Sequence, residues 1–241
     1  MRTLSWLPIC LCLAMLSTAA PAESGGSLNF KAKYALYIKG LKVAEMQRRF
    51  TRSGDGEYRY RSKTETTGLF SLFRDDKITE ESRGRLGTDS AQPLHYQYTQ
   101  TGSHKQRHVS IRFDWDKKEV INLVNGSTWK MKLEPGVVDK LLYQFIIMRD
   151  LSAGKRHLSY VIADGGKTKT YRFDAQGQEV IQTPLGKMLT LKLRRHKPNS
   201  RRETTLWCAP ALHYLPVKVK NVEKDDKITV AIIQSLKGLG H

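Results

Sequence analysis

The chain has 241 residues, 39% of them hydrophobic, and a formal net charge of +18. That length supports one large domain with its own core, and past the N-terminal run no stretch stays apolar long enough to span a bilayer as a helix. A chain this basic is drawn to anionic partners.

The N-terminus sets the compartment. Met1-Arg2-Thr3 is a short positive start, Leu4 to Ala19 is a mostly apolar run without charge, and Ala20-Pro21-Ala22 is a small-residue cleavage signal before Glu23. This order predicts a cleaved secretory signal peptide over 1–22 and a single β-rich domain over 23–241 in the periplasm. Leu7-Pro8-Ile9-Cys10 places a cysteine in the run, but bulky Ile9 and the short apolar stretch before it argue against lipid modification. Export turns the positive charge from nucleic acid toward anionic lipid head groups, lipopolysaccharide phosphates, acidic envelope polymers or an envelope protein. A solvated surface that keeps a β-rich protein soluble is the competing explanation. Cys10 and Cys12 leave with the signal, so Cys208 alone remains and no intramolecular disulfide is available.

Period-two alternation dominates the rest. Tyr58, Tyr60, Ser62 and Thr64 share one face, and Arg59, Arg61, Lys63 and Glu65 the other. Val109, Ile111, Phe113 and Trp115 form a second apolar row. Trp129, Met131 and Leu133 form a third, followed by Leu158, Tyr160 and Ile162, by Leu189, Leu191 and Leu193, and by Ile228, Val230 and Ile232. Ser53-Gly54-Asp55-Gly56, Asn125-Gly126, Asp164-Gly165-Gly166 and Asp225-Asp226 read as turns between strands. The expected fold is mainly β: a strongly curved antiparallel sheet, or open half-barrel, wrapping one main helix. That helix is expected at about 136–150, where Val138, Leu141, Leu142 and Phe145 have helical spacing and would lay an apolar stripe on the concave sheet. Gly68 to Phe73 is expected as a short helical or looped piece at a rim.

The chain carries no catalytic motif: no His-Glu-x-x-His, Gly-x-Ser-x-Gly or Cys-x-x-Cys. Gly166-Lys167-Thr168 resembles the end of a phosphate loop, but Val161 stands where that loop needs glycine, so a hairpin turn is the better reading. His104 and His108 on a strand would lie about 13 Å apart, too far for one metal ion. Asp114 and Asp116 flank Trp115 and serve a strand end and turn. Cys208, with His213 nearby in sequence, is a candidate hydrolase nucleophile, set against a buried core residue in the apolar text Leu206-Trp207-Cys208-Ala209-Pro210. The expectation is a non-enzymatic protein with no cofactor and no metal.

The densest cationic stretch is Arg194 to Arg202. Arg194, Arg195, Lys197, Arg201 and Arg202 are candidate contacts for phosphate or carboxylate groups, because guanidinium pairs them bidentately. Phe70 and Phe73, and the inward residues Phe113, Trp115, Trp129 and Phe145, are candidate contacts for a lipid tail. Together they support a carrier or binding protein for an anionic amphiphile, lipid or lipopolysaccharide-like. The alternative is a structural or scaffolding partner of envelope proteins or glycans, with a fully packed core.

Several short motifs fall in order along nearly all of the mature chain. They are Gly68-Leu69-Phe70-Ser71-Leu72-Phe73, Phe113-Asp114-Trp115, Val138-Asp139-Lys140-Leu141, Asp164-Gly165-Gly166, Thr183-Pro184-Leu185-Gly186, Thr204-Thr205-Leu206-Trp207 and Tyr214-Leu215-Pro216-Val217-Lys218-Val219. In these the chain resembles the domain-of-unknown-function family 3108 of exported proteins in Gram-negative bacteria. The resemblance implies a periplasmic β-rich protein and carries over no catalytic residue. A weaker similarity, in a Trp near a strand end and a Leu-Pro before a basic-apolar strand, is to the Lol-type lipoprotein carriers. Their helix-plugged concave sheets hold acyl chains; this is likeness of fold only.

Overall fold

The computed structural model describes residues 28–72, 74–102, 106–196 and 201–239. Residues 1–22, with the expected signal peptide, lie outside these, as do Phe73, His104 and Lys197. The first eight strands run β1 (Phe30–Ile38), β2 (Leu41–Arg52), β3 (Glu57–Thr66), β4 (Lys77–Leu86), β5 (Ala91–Thr101), β6 (Arg107–Asp114), β7 (Glu119–Val124) and β8 (Ser127–Lys132). The two-residue β9 (Val138–Asp139) leads into helix α1 (Leu142–Ser152). Then come β10 (Leu158–Ala163), β11 (Thr168–Thr183), β12 (Gly186–His196), β13 (Glu203–Ala209), β14 (Leu215–Val222) and β15 (Ile228–Lys237). Short 3-10 turns cover Gly68–Leu72 and Pro210–Leu212.

All fifteen strands form one sheet, ordered β8-β7-β6-β5-β4-β3-β2-β1-β15-β14-β13-β12-β11-β10-β9. Neighbours are antiparallel except β9 and β10, which are parallel. The ladder does not close into a barrel: β8 and β9 are its two edges. Side chains join the ends instead. The Gly166 amide, in the β10–β11 turn, donates to Asn122 Oδ1 on β7 at 3.2 Å, and Thr168 donates to Glu134 at 2.8 Å. Gly166 has φ +88° and lies against the Trp129 ring, so a side chain there would meet both an unfavourable backbone and the indole.

The mainly β half-barrel with one helix is as the alternation predicts, and the physical cause is visible in the burial. On β3, Tyr58, Tyr60 and Ser62 are buried while Arg59, Arg61 and Lys63 alternate toward solvent. The outward row forms cross-strand ion pairs: Glu81 of β4 accepts from Arg59 at 2.9 Å and also bonds Arg61 and Arg83. Two predicted rows differ. Leu193 is 1% exposed but Leu189 is 50% exposed: past the register shift between Ala175 and Gln178 the buried side chains are Ile181, Thr183 and Thr190, and Leu189 lies with its partner Val180 on the open face. On β15 the buried residues are Ala231 and Ile233, so Ile228, Val230 and Ile232 face outward.

The helix also departs from expectation. It begins at Leu142 rather than near 136, because Val138 and Asp139 are taken up as β9 beside Ile162 and Ala163. The Asp139 carboxylate, wholly buried, then accepts the amides of Leu141 at 2.9 Å and Leu142 at 2.8 Å, and the Ser82 hydroxyl at 2.6 Å. The helix ends in a Schellman motif: Gly154 N–H bonds Leu151 O at 3.0 Å and Lys155 N–H bonds Asp150 O at 2.9 Å. Gly154 supplies the left-handed φ of +78°. The helix is buried around most of its circumference rather than along one stripe: Leu142, Tyr143, Phe145, Ile146, Ile147, Met148 and Leu151 are all in the core. Phe145 stacks on Phe50 of β2 at 3.8 Å between centroids, and Phe50 in turn contacts Phe30, Tyr58 and Tyr60. The concave side of the sheet is filled at this level.

Phe145→Ala is expected to lower the unfolding free energy by about 3–5 kcal/mol, measured by urea denaturation, because the lost ring leaves a cavity against Phe50. Asp139 generates a pH effect. Burial raises its carboxyl from 3.8 to about 6, while its bonds from Ser82 and the two amides offset only part of that rise. The folded chain therefore holds this proton to higher pH than the unfolded chain, and Asp139 removes stability as pH rises from about 4 to about 6. Asp139→Asn keeps the acceptor oxygen without the charge. Its stability relative to wild type is expected to rise by roughly 2–3 kcal/mol across that window. Parallel stability curves would show that the carboxylate does not titrate there.

Candidate functional site

A polar cavity of about 600 Å³ opens at the mouth of the concave side, beside the first turn of α1. Its walls come from distant parts of the chain: Glu80 on β4, Tyr143 and Gln144 on α1, Tyr171 on β11, Arg195 on β12 and Thr204 on β13. Curling of the sheet around α1 brings these strands together.

Arg195 is the central side chain. Its guanidinium lies over the Tyr171 ring at 3.9 Å and donates to Thr204 Oγ1 at 3.1 Å. Among the described residues it has no carboxylate partner. Tyr143 meets Tyr171 edge-on at 5.4 Å, and burial pushes its hydroxyl up to about 12, so it is a neutral donor at ordinary pH. Beneath the cavity, Arg48 reaches Gln144 Oε1 and lies over Tyr34 at 5.7 Å; its Nε–H is buried without a hydrogen-bond partner. Glu80 accepts the Tyr96 hydroxyl at 2.7 Å.

The rim is more nearly neutral. Lys140 pairs with Asp164 at 3.2 Å, and Lys169 bonds the same carboxylate. Burial pushes Asp164 up, but the two ammonium groups outweigh it and hold the acid below its usual range. Arg202 pairs with Glu223 at 3.2 Å. Two lysines thus share one acid, and the guanidinium groups of Arg48 and Arg195 lack paired acids among the described residues. Glu80 also lines the cavity and stabilises the charge of Arg48 below it, so the excess that favours an anion is centred on Arg195.

The predicted cationic group is divided by strand geometry. Neighbouring residues on a strand point to opposite faces. Arg195 enters the cavity, whereas Arg194 points away and pairs with Glu203 at 2.6 Å. Arg202 lines the cavity; Arg201, 74% exposed at its side chain, pairs with Asp226 at 2.8 Å. Lys197 lies outside the described residues.

The predicted apolar contacts do not line this cavity. Phe113 and Phe145 are each 3% exposed and belong to the packed core rather than to an open concave face. Trp115 is half-buried and donates its indole N–H to Pro93 O at 2.8 Å. Trp129 stands opposite Asn122 but is 45% exposed, because β8 is an edge strand with a neighbour on one side only. Phe70 is exposed on the 3-10 turn, and Phe73 lies outside the described residues.

Sequence reasoning missed Arg48, Glu80, Tyr143, Gln144 and Tyr171. Two of these carried a signal. On β2 the inward register is Ala44, Met46, Arg48, Phe50, and on β4 it is Ile78, Glu80, Ser82. A charge in the apolar register of a strand marks an interior polar site.

The chemistry candidates resolve into structural roles. Cys208 is completely buried in β13, and burial alone pushes its thiol well above the ordinary value; an unactivated thiol is a poor nucleophile. Asp114 accepts the Lys117 amide at 2.9 Å and closes the β6–β7 turn. Gly165 and Gly166 form a hairpin turn closed by Asp164 and Lys167. Among the described residues no three His, Cys, Asp or Glu side chains gather as metal ligands.

Among solved structures, the chain is similar to the β-barrel-like protein of domain of unknown function DUF1849 from Brucella abortus. The TM-score is 0.58 at 8% identity, over 88% of this chain and 98% of that one, a likeness of fold alone. A "putative lipoprotein" from Parabacteroides distasonis aligns over 87% of this chain and 95% of that one at 9% identity, with a TM-score of 0.36, too low to bear on the fold. No curated protein matches the chain. A family model described as "Protein of unknown function (DUF3108)" matches residues 33–232, most of the chain, and the chain belongs to that family.

Proposed function

We propose that this chain is a non-enzymatic binding protein of the periplasm that captures the phosphate or carboxylate group of an anionic amphiphile, lipid or lipopolysaccharide-like, in the cavity at the mouth of the half-barrel. The observation that carries this reading is Arg195, held by Tyr171 and Thr204, facing a cavity of about 600 Å³ without a carboxylate partner among the described residues. Arg48 below is opposed by the nearby Glu80 carboxylate, and the neutral Tyr143 hydroxyl adds a donor. Because α1 fills the concave side, the reading assigns the head group to the cavity and stores no acyl chain between helix and sheet. The layout of residues 1–22 supports export, and no described helix is long and apolar enough to cross a membrane.

A second reading is a scaffolding partner of envelope proteins or glycans. The filled interior favours it, as do the exposed side chains of Val180, Leu185 and Leu189 on the β11–β12 hairpin, at 62%, 37% and 50%. Neither reading involves nucleic acid, a metal or a cofactor.

The test is calorimetric titration with short-chain phosphatidylglycerol and phosphatidylcholine below their micelle concentrations, with native mass spectrometry of protein purified from the envelope. Arg195→Ala is expected to weaken the anionic lipid at least tenfold, the magnitude of one lost charge-assisted bond. Arg201→Ala, exposed and paired with Asp226 away from the cavity, should leave it unchanged. Equal effects of the two substitutions, or no preference between the two lipids together with no co-purifying lipid, would favour the scaffolding reading.

A further inference from the structure

The outward row Ile228, Val230 and Ile232 has a partner surface of its own. With Tyr37 and Ile38 of β1 it floors an open hollow of about 720 Å³ on the outer side of the sheet. Register places the row there: Val230 stands opposite Tyr37, and Ile232 opposite Lys218, while Ala231 and Ile233 carry the strand's inner face. Two hairpin ends lie side by side at this rim, because Ile38 pairs with Thr229: the β1–β2 turn at Lys39-Gly40 and the β14–β15 turn before Ile228. Leu41 at 61% exposure and Ile228 at 42% leave apolar surface at both tips.

The charges around the hollow are predominantly positive. Lys39, Lys218 and Lys227 line it, and Lys220 stands opposite Val230. Asp225 and Asp226 also line it, but Asp226 is held by Arg201 at 2.8 Å. Lys39 sits at the turn position with φ +48°, where Asn or Asp is the usual residue, so a long cation is carried at the tip against backbone preference. The Lys218 ammonium lies over the Trp207 ring, 4.5 Å from its centroid.

We propose that this outer hollow and its two hairpin tips form a docking surface for an anionic phospholipid membrane, separate from the mouth cavity. An apolar floor at whose rim lysines outnumber aspartates matches the acyl-to-head-group boundary of such a bilayer. Apolar insertion supplies the affinity, and the lysines supply attraction to anionic head groups. The surface does not depend on the head-group reading of the mouth: the two have no lining residue in common.

The test is co-sedimentation of the full mature chain with vesicles of phosphatidylcholine alone or containing phosphatidylglycerol. Wild type should bind the anionic vesicles at least tenfold better at moderate salt. Ile228→Glu with Val230→Glu should lower that partition about tenfold or more. Lys39→Glu with Lys227→Glu should lower it by about fivefold for each lysine and remove the preference for anionic vesicles. Thermal melts check that both variants fold; should the first not fold, Leu41→Glu, on an exposed tip, replaces it. Arg195→Ala should retain vesicle binding. Wild-type binding by the glutamate variants would overturn the docking surface, and so would failure of wild type to bind anionic vesicles. Loss of binding in Arg195→Ala alone would also overturn it, while leaving the mouth cavity as the lipid site.

Discussion

The contact between Phe145 and Phe50 determines how the rest of the molecule can be arranged. A sheet of fifteen strands that curls without closing has a concave apolar face, and that face needs a filler. Helix α1 provides it with side chains on nearly every side, and the stacked rings join it to the aromatic cluster of β1, β2 and β3. The start of the helix is anchored independently by Asp139, which ties the Leu141 and Leu142 amides to Ser82 on β4. Rings and carboxylate together hold the helix at a defined depth. That depth leaves a cavity at the mouth and fills the concave side where Phe145 meets Phe50.

The same depth divides the charge of the protein into two populations. Outward rows on β3 and β4 gather Arg59, Arg61 and Arg83 around the largely covered Glu81, a charge network that is self-compensated. Inside, Arg48, Glu80 and Arg195 occupy positions where alternation would place apolar side chains. Such groups lose hydration and must be held by hydrogen bonds, aromatic faces or a ligand. Tyrosines do much of this: Tyr34, Tyr96 and Tyr171 each contact one of the three charges.

How much was legible follows from the strength of each local pattern. β3, β6 and β10 bury one face, so their alternation identifies them and their inner residues. β13 is buried from Thr204 to Ala209 on both faces and shows no alternation. The helix was legible as a helix, but its boundary was not, because the pairing of Val138 and Asp139 with β10 is a contact across sequence that competes with helical spacing. The basic stretch Arg194 to Arg202 was visible as a cluster, yet strand pleating separates Arg195 from Arg194. Trp129 and Leu189 lie in apolar registers, but one is on an edge strand and the other, with Val180, is on the open face of its hairpin, so register alone did not bury them.

By itself the sequence determined the β class, the main helix and the family, because these depend on local periodicity, composition and ordered motifs. Only the tertiary structure decided that the concave side is filled, that Arg48, Glu80, Tyr143, Tyr171 and Arg195 converge at its mouth, and that β15 is apolar on both faces. Those outcomes depend on the depth of α1 and on which strands the curvature brings together. Both are set by contacts between residues far apart in the chain, and local patterning does not encode them.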